Sequence, residues 1–440
     1  MRPIALVNWM TAIADRGRAL LDFPPQRTAL DPPADSLVAM CHALMGRRGE
    51  ATGTALAREI ASAWWETGPE ERRAFFAALA HQFNPDPAQL AEAAAAYAAD
   101  PSPDAQMVLF ELAEPPRQEL LRRINQAPGA MAALVSMREA LLGLLREDAS
   151  LAAVDADFQH LFRSWFNRGF LELRSIDWDT PASILEKLIR YEAVHAIDGW
   201  DDLRRRLEAD RRCFAFFHPA LPEEPLVFVE VALTDSVSDN IGDILTAPVV
   251  ENADQAATTA VFYSISNCQK GLRGVSFGNF LIKQVVDELS RDLPGLRNFV
   301  TLSPVPGFLN WLARQAEASD LAALRRDLPE PLTAPALEAL RARLMSACAS
   351  YLLSCREKGV PVDPVARFHL GNGAQLARLN WMGDRSAKGL AQSAGIMVNY
   401  AYNLDDIVRN HEALLDEGRI AASGQVHALA EGKFQEGSRS

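Results

Sequence analysis

The chain has 440 residues, enough for two domains, and 49% hydrophobic with 23% charged residues is typical of a globular protein. This balance excludes global disorder and a collagen-like fibre. The 57 acidic residues outnumber the 44 basic ones, which gives a net charge of -13. Because nucleic acids and anionic membrane surfaces attract basic proteins, we expect neither as a partner. An anionic ligand would need a local basic pocket.

The cysteines are odd in number and widely spaced, without a Cys-x-x-Cys pair. This pattern argues against a disulfide framework and against a zinc site, and it favours a reducing compartment, by default the cytoplasm. No apolar run approaches the roughly 18 residues of a membrane span. We interpret the apolar segment 3–14 as an amphipathic helix, with a secretory signal as the alternative. The five cysteines are Cys41, Cys213, Cys268, Cys348 and Cys355.

Residues 1–165 are predicted to form an all-helical bundle. Apolar side chains recur at helical spacing, as in the stripe formed by Phe75, Phe76, Leu79 and Phe83. No cluster of polar residues in this half indicates a catalytic site, and its histidines are isolated from one another. We therefore expect this domain to serve in oligomerisation, building a homo-oligomer, either a dimer or a tetramer.

Residues 166–440 are predicted to form a second domain in which strands and helices are mixed. The fold class is therefore α+β, with a helical bundle followed by a mixed α/β domain. Apolar, β-branched and aromatic runs predict strands at residues 213–217, 226–233, 260–266 and 298–302, the first two as a hairpin. Helical patterns occupy residues 180–189, 201–211, 280–289, 321–326 and 334–351, the last continuing towards Lys358.

A glycine-rich segment lies between the third predicted strand and the helix that follows it. Gly271, Gly274 and Gly278 would let backbone N–H groups approach a ligand, and the helix start would add its free donors. Lys270 and Arg273 supply local positive charge. The spacing matches neither the dinucleotide fingerprint nor the Walker loop. From spacing alone, an anion-binding loop and a simple turn that reverses the chain are equally supported.

Six blocks stand out between residues 213 and 410, at residues 262–266, 278–283, 302–308, 368–374, 379–384 and 393–400. These blocks resemble malonyl-CoA decarboxylases. The segment 273–278 also resembles the pyrophosphate loop of the GNAT acyl-CoA-binding fold, with Ser276 in place of that pattern's first glycine. The helical N-terminal half suits the domain plan of the decarboxylases.

The resemblance implies a GNAT-like catalytic domain that converts malonyl-CoA to acetyl-CoA and CO₂ through an enolate, with no metal and no organic cofactor. The family's catalytic serine falls on Ser303, within Leu-Ser-Pro-Val-Pro-Gly-Phe, and its histidine on His369, within Phe-His-Leu-Gly-Asn-Gly. The family's coenzyme A loop falls on Arg273, Gly274, Val275, Ser276, Phe277, Gly278 and Asn279.

Decarboxylation of a malonyl thioester needs the residue types that this pair supplies. The thioester oxygen must be stabilised as CO₂ leaves, and C2 must then be protonated by a positioned acid. Histidine suits that task because its ordinary pKa lies near neutrality. The proline after Ser303 biases this serine towards an extended conformation. The rival residues for these two roles are His218, Ser264 and Ser266.

Two other functions stay open at the level of sequence. One is a CoA-dependent N-acyltransferase, although no residue pattern marks a site for an amine. The other is a non-catalytic acyl-CoA-binding protein, against which the presence of both Ser303 and His369 argues. The polar residues Asn372, Asn380 and Asp384 stand among apolar ones and would either support the site or form caps and turns.

Overall fold

The computed structural model divides the chain into two compact units, Met1–Ser164 and Trp165–Ser440. The apolar segment 3–14 lies outside the described residues, so its interpretation stays a prediction. In the part of the chain that the structure describes, no helix is long and apolar enough to cross a membrane. The described residues are 36–46, 49–192, 194–250, 252–275, 277, 281–315, 319–357 and 359–432.

The first unit is helical, as predicted. Four successive helices, α3 to α6 in the numbering below, carry proline in the first turn, where its missing N–H costs no hydrogen bond. The core includes Trp64, whose ring packs against those of Phe75 and Phe76. The helices are α1 (Leu37–Gly46), α2 (Glu50–Glu66), α3 (Pro69–His81), α4 (Pro87–Ala99), α5 (Pro103–Ala113), α6 (Pro116–Asn125), α7 (Ala130–Leu144) and α8 (Ala152–Trp165).

Helix α5 differs from the other helices of this unit because none of its residues is buried. Its sequence is nevertheless apolar, and Met107, Val108 and Phe110 are exposed, the last by 75%. The helix packs mainly against α4, in which Ala93 is the buried residue. Several exposed apolar side chains on one helix are typical of an association surface.

The second unit contains an eight-stranded sheet in the order β1-β2-β3-β4-β5-β10-β6, with β9 paired to β10. The pairs are antiparallel except β4 with β5, and the predicted β2–β3 hairpin is present. The strands are β1 (Glu172–Ile176), β2 (Arg211–Phe217), β3 (Val227–Thr234), β4 (Thr259–Asn267), β5 (Asn298–Thr301), β6 (Ser303–Pro304), β9 (Gln375–Asn380) and β10 (Met397–Ala401). A separate two-stranded sheet joins β7 (Arg356–Glu357) and β8 (Val360–Pro361).

Helices lie around this sheet, so the predicted α+β class is confirmed. The helices of the first half are α9 (Ala182–Tyr191), α10 (Gly199–Arg206), α11 (Ile241–Leu245), α12 (Ala253–Ala256) and α13 (Leu281–Asp292). Those of the second half are α14 (Phe308–Ala313), α15 (Asp320–Arg326), α16 (Ala334–Leu337), α17 (Arg341–Ser354), α18 (Pro364–Gly371), α19 (Ala387–Ser393), α20 (Ile407–Glu417) and α21 (Gly424–Ala430).

Two helix predictions were wrong in extent. The helix predicted over 201–211 ends at Arg206, because Arg211 begins β2 and pairs with Ala232 of β3. The helix predicted from residue 334 towards Lys358 is interrupted by a 3₁₀ turn and ends at Ser354, since the chain then enters the small β7–β8 sheet.

Strand β10 pairs with both β5 and β6, the second of which carries Ser303. Its Ala401 pairs with Val300 of β5, and its Val398 pairs with Ser303 of β6. The buried residue Leu302 separates β5 from β6, and both strands keep the same antiparallel register with β10. This pairing sets Ser303 beside β10 in an extended conformation, as the following proline predicted.

Candidate active site

The structure brings Ser303 and His369 into hydrogen-bond contact although 66 residues separate them in sequence. Ser303 Oγ lies 3.0 Å from His369 Nε2. Both side chains are buried, with 5% and 3% of their surface exposed. Ser303 is held by strand β6 and His369 by helix α18, so regular structure fixes both backbones.

Each member of this pair has a second hydrogen-bond partner. His369 Nδ1 lies 2.9 Å from the hydroxyl of Tyr402, and Ser303 Oγ lies 2.8 Å from Thr301 Oγ1. The imidazole also stacks on the ring of Tyr400, at a centroid distance of 4.6 Å and an angle of 24°. The sequence analysis did not single out Tyr402, because a tyrosine just beyond a strand end carries no functional signal by itself.

One assignment of protons gives each contact in this row of four side chains one donor and one acceptor. The hydroxyl of Tyr402 donates to Nδ1 of His369, Nε2–H donates to Oγ of Ser303, and the serine hydroxyl donates to Oγ1 of Thr301. In this arrangement the imidazole is neutral with its proton on Nε2. The serine hydroxyl is the last donor of the row.

Burial governs the charge state of the histidine. It lowers the pKa of His369 from its ordinary value of 6.5 to about 3, because no carboxylate offsets the loss of water around the ring. Burial also raises the pKa of Tyr402 well above its ordinary value. The assumption of an ordinary, near-neutral pKa was therefore wrong, because burial keeps the imidazole neutral well below pH 7.

Beside the pair lies a cavity of about 240 Å³ with a largely apolar lining. Ser303, His369 and Ser264 contribute polar groups to its wall. None of the described residues that line it is a lysine or an arginine. A carboxylate bound here would meet neutral hydrogen-bond donors in place of a fixed positive charge. The apolar lining residues are Val194, Phe262, Ile265, Pro304, Pro364, Val365 and Phe368.

The rival histidine occupies a different place. His218 follows β2, and its Nε2 lies 3.1 Å from the carbonyl oxygen of Trp165 while Nδ1 accepts from the backbone N–H of Ala220. It packs against the ring of Phe166 and is absent from the described lining of the cavity. Both ring nitrogens thus have structural partners.

The rival serines share one buried carboxylate. Ser264 and Ser266 donate to the two oxygens of Glu192, at 2.7 Å and 3.0 Å. The same carboxylate accepts the backbone N–H groups of Val194 and His195. Glu192 therefore ties β4 to the loop that carries Val194 into the cavity wall. The sequence analysis missed it, since an isolated glutamate at a helix end reads as a surface residue.

The polar residues singled out around the two blocks have structural partners. Asn372 and Asp384 bond to backbone groups within their own turns. Asn380 donates to Asn399, whose side-chain N–H donates in turn to the carbonyl oxygen of Thr301. Asn380 thus supports the strand end next to Ser303, while the other two act as caps and turns.

Two family models match the chain: the malonyl-CoA decarboxylase N-terminal domain over residues 83–166 and the malonyl-CoA decarboxylase C-terminal domain over residues 169–439. The chain belongs to the malonyl-CoA decarboxylase family. The family resemblance seen in the sequence blocks is thereby confirmed across both halves of the chain.

Curated relatives and solved structures of this family agree with the assignment. The mitochondrial malonyl-CoA decarboxylase of Anser anser anser is 38% identical over 363 residues, covering 74% of this chain and 71% of that protein. The mouse protein of the same name is 36% identical, and the match covers 73% of this chain and 72% of the mouse protein. The Rhodopseudomonas palustris malonyl-CoA decarboxylase structure has 52% identity and a TM-score of 0.84 over 91% of this chain and all of that one. The Agrobacterium vitis malonyl-CoA decarboxylase structure has 53% identity and a TM-score of 0.81, and the match covers 90% of this chain and 99% of that one.

The segment that resembles the decarboxylase coenzyme A loop joins β4 to α13, so the predicted strand–loop–helix order is confirmed. Arg273 and Gly274 are exposed, while Val275 and Phe277 are buried. Gly274 has a φ of +77°, a left-handed conformation that favours glycine and turns the chain at this point. The loop residues outside the described part of the chain are Ser276, Gly278 and Asn279.

Proposed function

We propose that the chain is a carboxy-lyase that converts malonyl-CoA to acetyl-CoA and CO₂, with Ser303 and His369 as its catalytic pair. The observation that carries this proposal is the 3.0 Å contact between Ser303 Oγ and His369 Nε2 at the wall of an apolar cavity. Family membership supports the reaction, and the contact supports the residues.

The cavity suits loss of CO₂ from a carboxylate. In the ground state the negative charge sits on the malonyl carboxylate, and an arginine or lysine there would stabilise it. The described lining offers apolar side chains and neutral donors instead. As the C–C bond breaks, the charge moves to the thioester oxygen and the product CO₂ is neutral. An apolar wall around the carboxylate therefore favours the departure of CO₂.

The row of hydrogen bonds supplies the proton that the enolate needs. With substrate bound, the hydroxyl of Ser303 exchanges Thr301 for the substrate. After CO₂ leaves, this hydroxyl protonates C2, Nε2–H of His369 reprotonates the serine, and the hydroxyl of Tyr402 delivers its proton to Nδ1. One proton from solvent is consumed per turnover: it reprotonates Tyr402, and the imidazole then returns its proton from Nδ1 to Nε2 before the next turnover. A neutral imidazole can pass a proton in this way because its two nitrogens exchange roles.

Coenzyme A is expected at the loop 273–279, with no metal and no organic cofactor taking part. Arg273 supports this placement because it is an exposed cation beside the left-handed Gly274 turn. Backbone N–H groups of such a turn, together with a guanidinium, form a concave site for a pyrophosphate.

The helical unit is proposed to build a homo-oligomer. The exposed apolar face of α5, which includes Met107 and Phe110, supports an association role. A cytoplasmic location stays a prediction from the free cysteines.

The reaction is tested with the purified full-length chain and malonyl-CoA, with no amine present. We expect acetyl-CoA and CO₂ in equal amounts. A malonylated amine and free CoA, formed without CO₂ when an acceptor amine is added, would instead identify an acyltransferase. Binding of acyl-CoA without turnover would identify a non-catalytic protein.

A further inference from the structure

One buried carboxylate connects the segment that carries Ser303 with the helix that carries His369. Asp363 precedes α18, and its Oδ1 accepts the backbone N–H groups of Val365 and Ala366, each at 3.0 Å. Its other oxygen, Oδ2, accepts the backbone N–H of Gly307 at 3.1 Å. The side chain is 2% exposed, far more buried than an N-cap requires.

Both segments that meet at Asp363 are stiff. On one side, Ser303 is joined to Gly307 by Pro-Val-Pro, whose two rings fix φ at two of the three intervening positions. On the other side, His369 lies six residues after Asp363 within the continuous helix α18. A displacement at this junction is therefore transmitted to both Oγ of Ser303 and Nε2 of His369.

A third element, helix α17, contacts the junction of these two segments at Asp363. The hydroxyl of Tyr351, from α17, hydrogen-bonds to the carboxylate of Asp363. Gly307 fits between them because it lacks a side chain. A Cβ there would overlap the Tyr351 hydroxyl and lie 3.1 Å from Oδ2 of Asp363. The close approach, and not the backbone angle, requires glycine at this position.

We propose that Asp363 is a positioning residue that sets the distance between Ser303 Oγ and His369 Nε2. Its Oδ1 holds the N-terminus of the histidine helix, and its Oδ2 holds the end of the serine segment. Burial raises the pKa of Asp363 while its three N–H partners favour the carboxylate, and both of its oxygens act as hydrogen-bond acceptors. This inference rests on the proposed roles of Ser303 and His369.

The substitution Asp363→Asn separates the two connections. The asparagine oxygen can still accept from Val365 and Ala366, so the helix cap is kept. The amide NH₂ then faces the N–H of Gly307, and two donors cannot bond to each other. The variant therefore loses the connection to the serine segment and keeps the cap.

A matched control lies in the helical unit. Asp86 also precedes a proline, and its Oδ1 accepts the N–H groups of Ala88 and Gln89 at the start of α4. It is an exposed cap. Asp86→Asn therefore reproduces the same chemical change at a cap without the buried connection.

We expect Asp363→Asn to lower kcat at least about tenfold, with KM within about twofold of wild type, because misplacement of reacting groups by an ångström can cost up to about 100-fold. Asp86→Asn should leave both within about twofold of wild type. Circular dichroism and the melting temperature report the folded fraction at the assay temperature. A folded Asp363→Asn enzyme with wild-type kcat would overturn the proposal, as would a KM rise that accounts for the whole loss.

A second pair of variants tests the junction if Asp363→Asn does not fold. Gly307→Ala introduces the Cβ that overlaps the Tyr351 hydroxyl, and Tyr351→Phe removes that hydroxyl. We expect the single Gly307→Ala variant to lose kcat and the double variant to recover part of it. Equal kcat for the single and double variants would contradict transmission through this contact.

The experiment distinguishes a failure of the positioning role of Asp363 from a failure of the proposed function. Wild-type turnover of malonyl-CoA is measured first, and its absence would refute the reaction itself. If the wild type is active and Asp363→Asn is equally active, the decarboxylase assignment stands and only the positioning role falls.

Discussion

The imidazole of His369 lies almost parallel to the phenol ring of Tyr400, with their centroids 4.6 Å apart. This stacking covers one face of the histidine, and Phe368 meets its edge at 5.1 Å. The rings exclude water from the imidazole, which is why burial alone lowers its pKa so far. The site therefore holds an uncharged histidine whose position is fixed by aromatic packing and whose Nδ1 is hydrogen-bonded to the hydroxyl of Tyr402.

The hydroxyl of Tyr402 can be removed without changing the ring. We expect Tyr402→Phe to lower kcat at least about fivefold with little change in KM, because one neutral hydrogen bond is typically worth about 1 kcal/mol. Tyr400→Phe is the matched control, since the Tyr400 hydroxyl is buried without a hydrogen-bond partner among the described residues. Steady-state kinetics of the two variants decide the question: equal losses would contradict a role for the Tyr402 hydroxyl in the proton route.

The lowered pKa of His369 also makes a prediction for stability. Between pH 6.5 and about 3 the unfolded chain binds a proton at this histidine that the folded chain does not. Stability therefore falls as the pH drops through this window, at up to about 1.4 kcal/mol per pH unit from this group. Urea unfolding of His369→Asn should show a shallower loss of stability from pH 6.5 to 4.5 than the wild type. Identical slopes would contradict the buried neutral imidazole.

The loop 273–279 is tested through its arginine. We expect Arg273→Ala to raise KM for malonyl-CoA by about tenfold or more with a smaller effect on kcat, because a charge-assisted hydrogen bond to phosphate is worth about 1.5 to 3 kcal/mol. Isothermal titration with coenzyme A measures the binding directly. Arg326→Ala, at the end of α15, serves as a control substitution of the same kind. Unchanged KM and unchanged CoA affinity in Arg273→Ala would place the pyrophosphate elsewhere.

Assembly is tested on the exposed face of α5. We expect Phe110→Asp to lower the oligomeric state measured by analytical ultracentrifugation, because a charge on an apolar contact opposes burial. Phe110→Leu keeps the apolar surface and should keep the wild-type assembly. A wild-type sedimentation coefficient for the aspartate variant would exclude this face from the interface.

Apolar pattern was sufficient to predict the strands with long hydrophobic runs. Val227–Thr234 and Thr259–Asn267 are buried along almost their whole length, so their sequences carry the signal. The strands Glu172–Ile176 and Gln375–Asn380 were missed because polar and charged residues interrupt their apolar pattern. Their strand conformation depends on pairing with β2 and β10, which is tertiary information.

The candidate site also combines residues that the sequence predicted with contacts that only the fold shows. Ser303 and His369 were chosen from local blocks, and only the fold shows that they are in contact. Tyr402, Glu192 and Asp363 act through contacts across 33 to 74 residues, which no local pattern records. The pKa of His369 could not be predicted either, because it depends on the rings that the fold packs around it.

The most direct test of the account compares two histidine variants in one malonyl-CoA decarboxylase assay. Asparagine keeps one hydrogen bond of either histidine but cannot pass a proton between two ring nitrogens. General acid–base catalysis is typically worth about 10²–10⁴-fold, so kcat of His369→Asn should fall within that range while CoA affinity is kept. His218→Asn should retain kcat within about threefold, because both of its ring nitrogens bond to backbone groups away from the described lining of the cavity. A near-wild-type kcat for His369→Asn beside a folded but inactive His218→Asn would contradict the assignment of the catalytic pair.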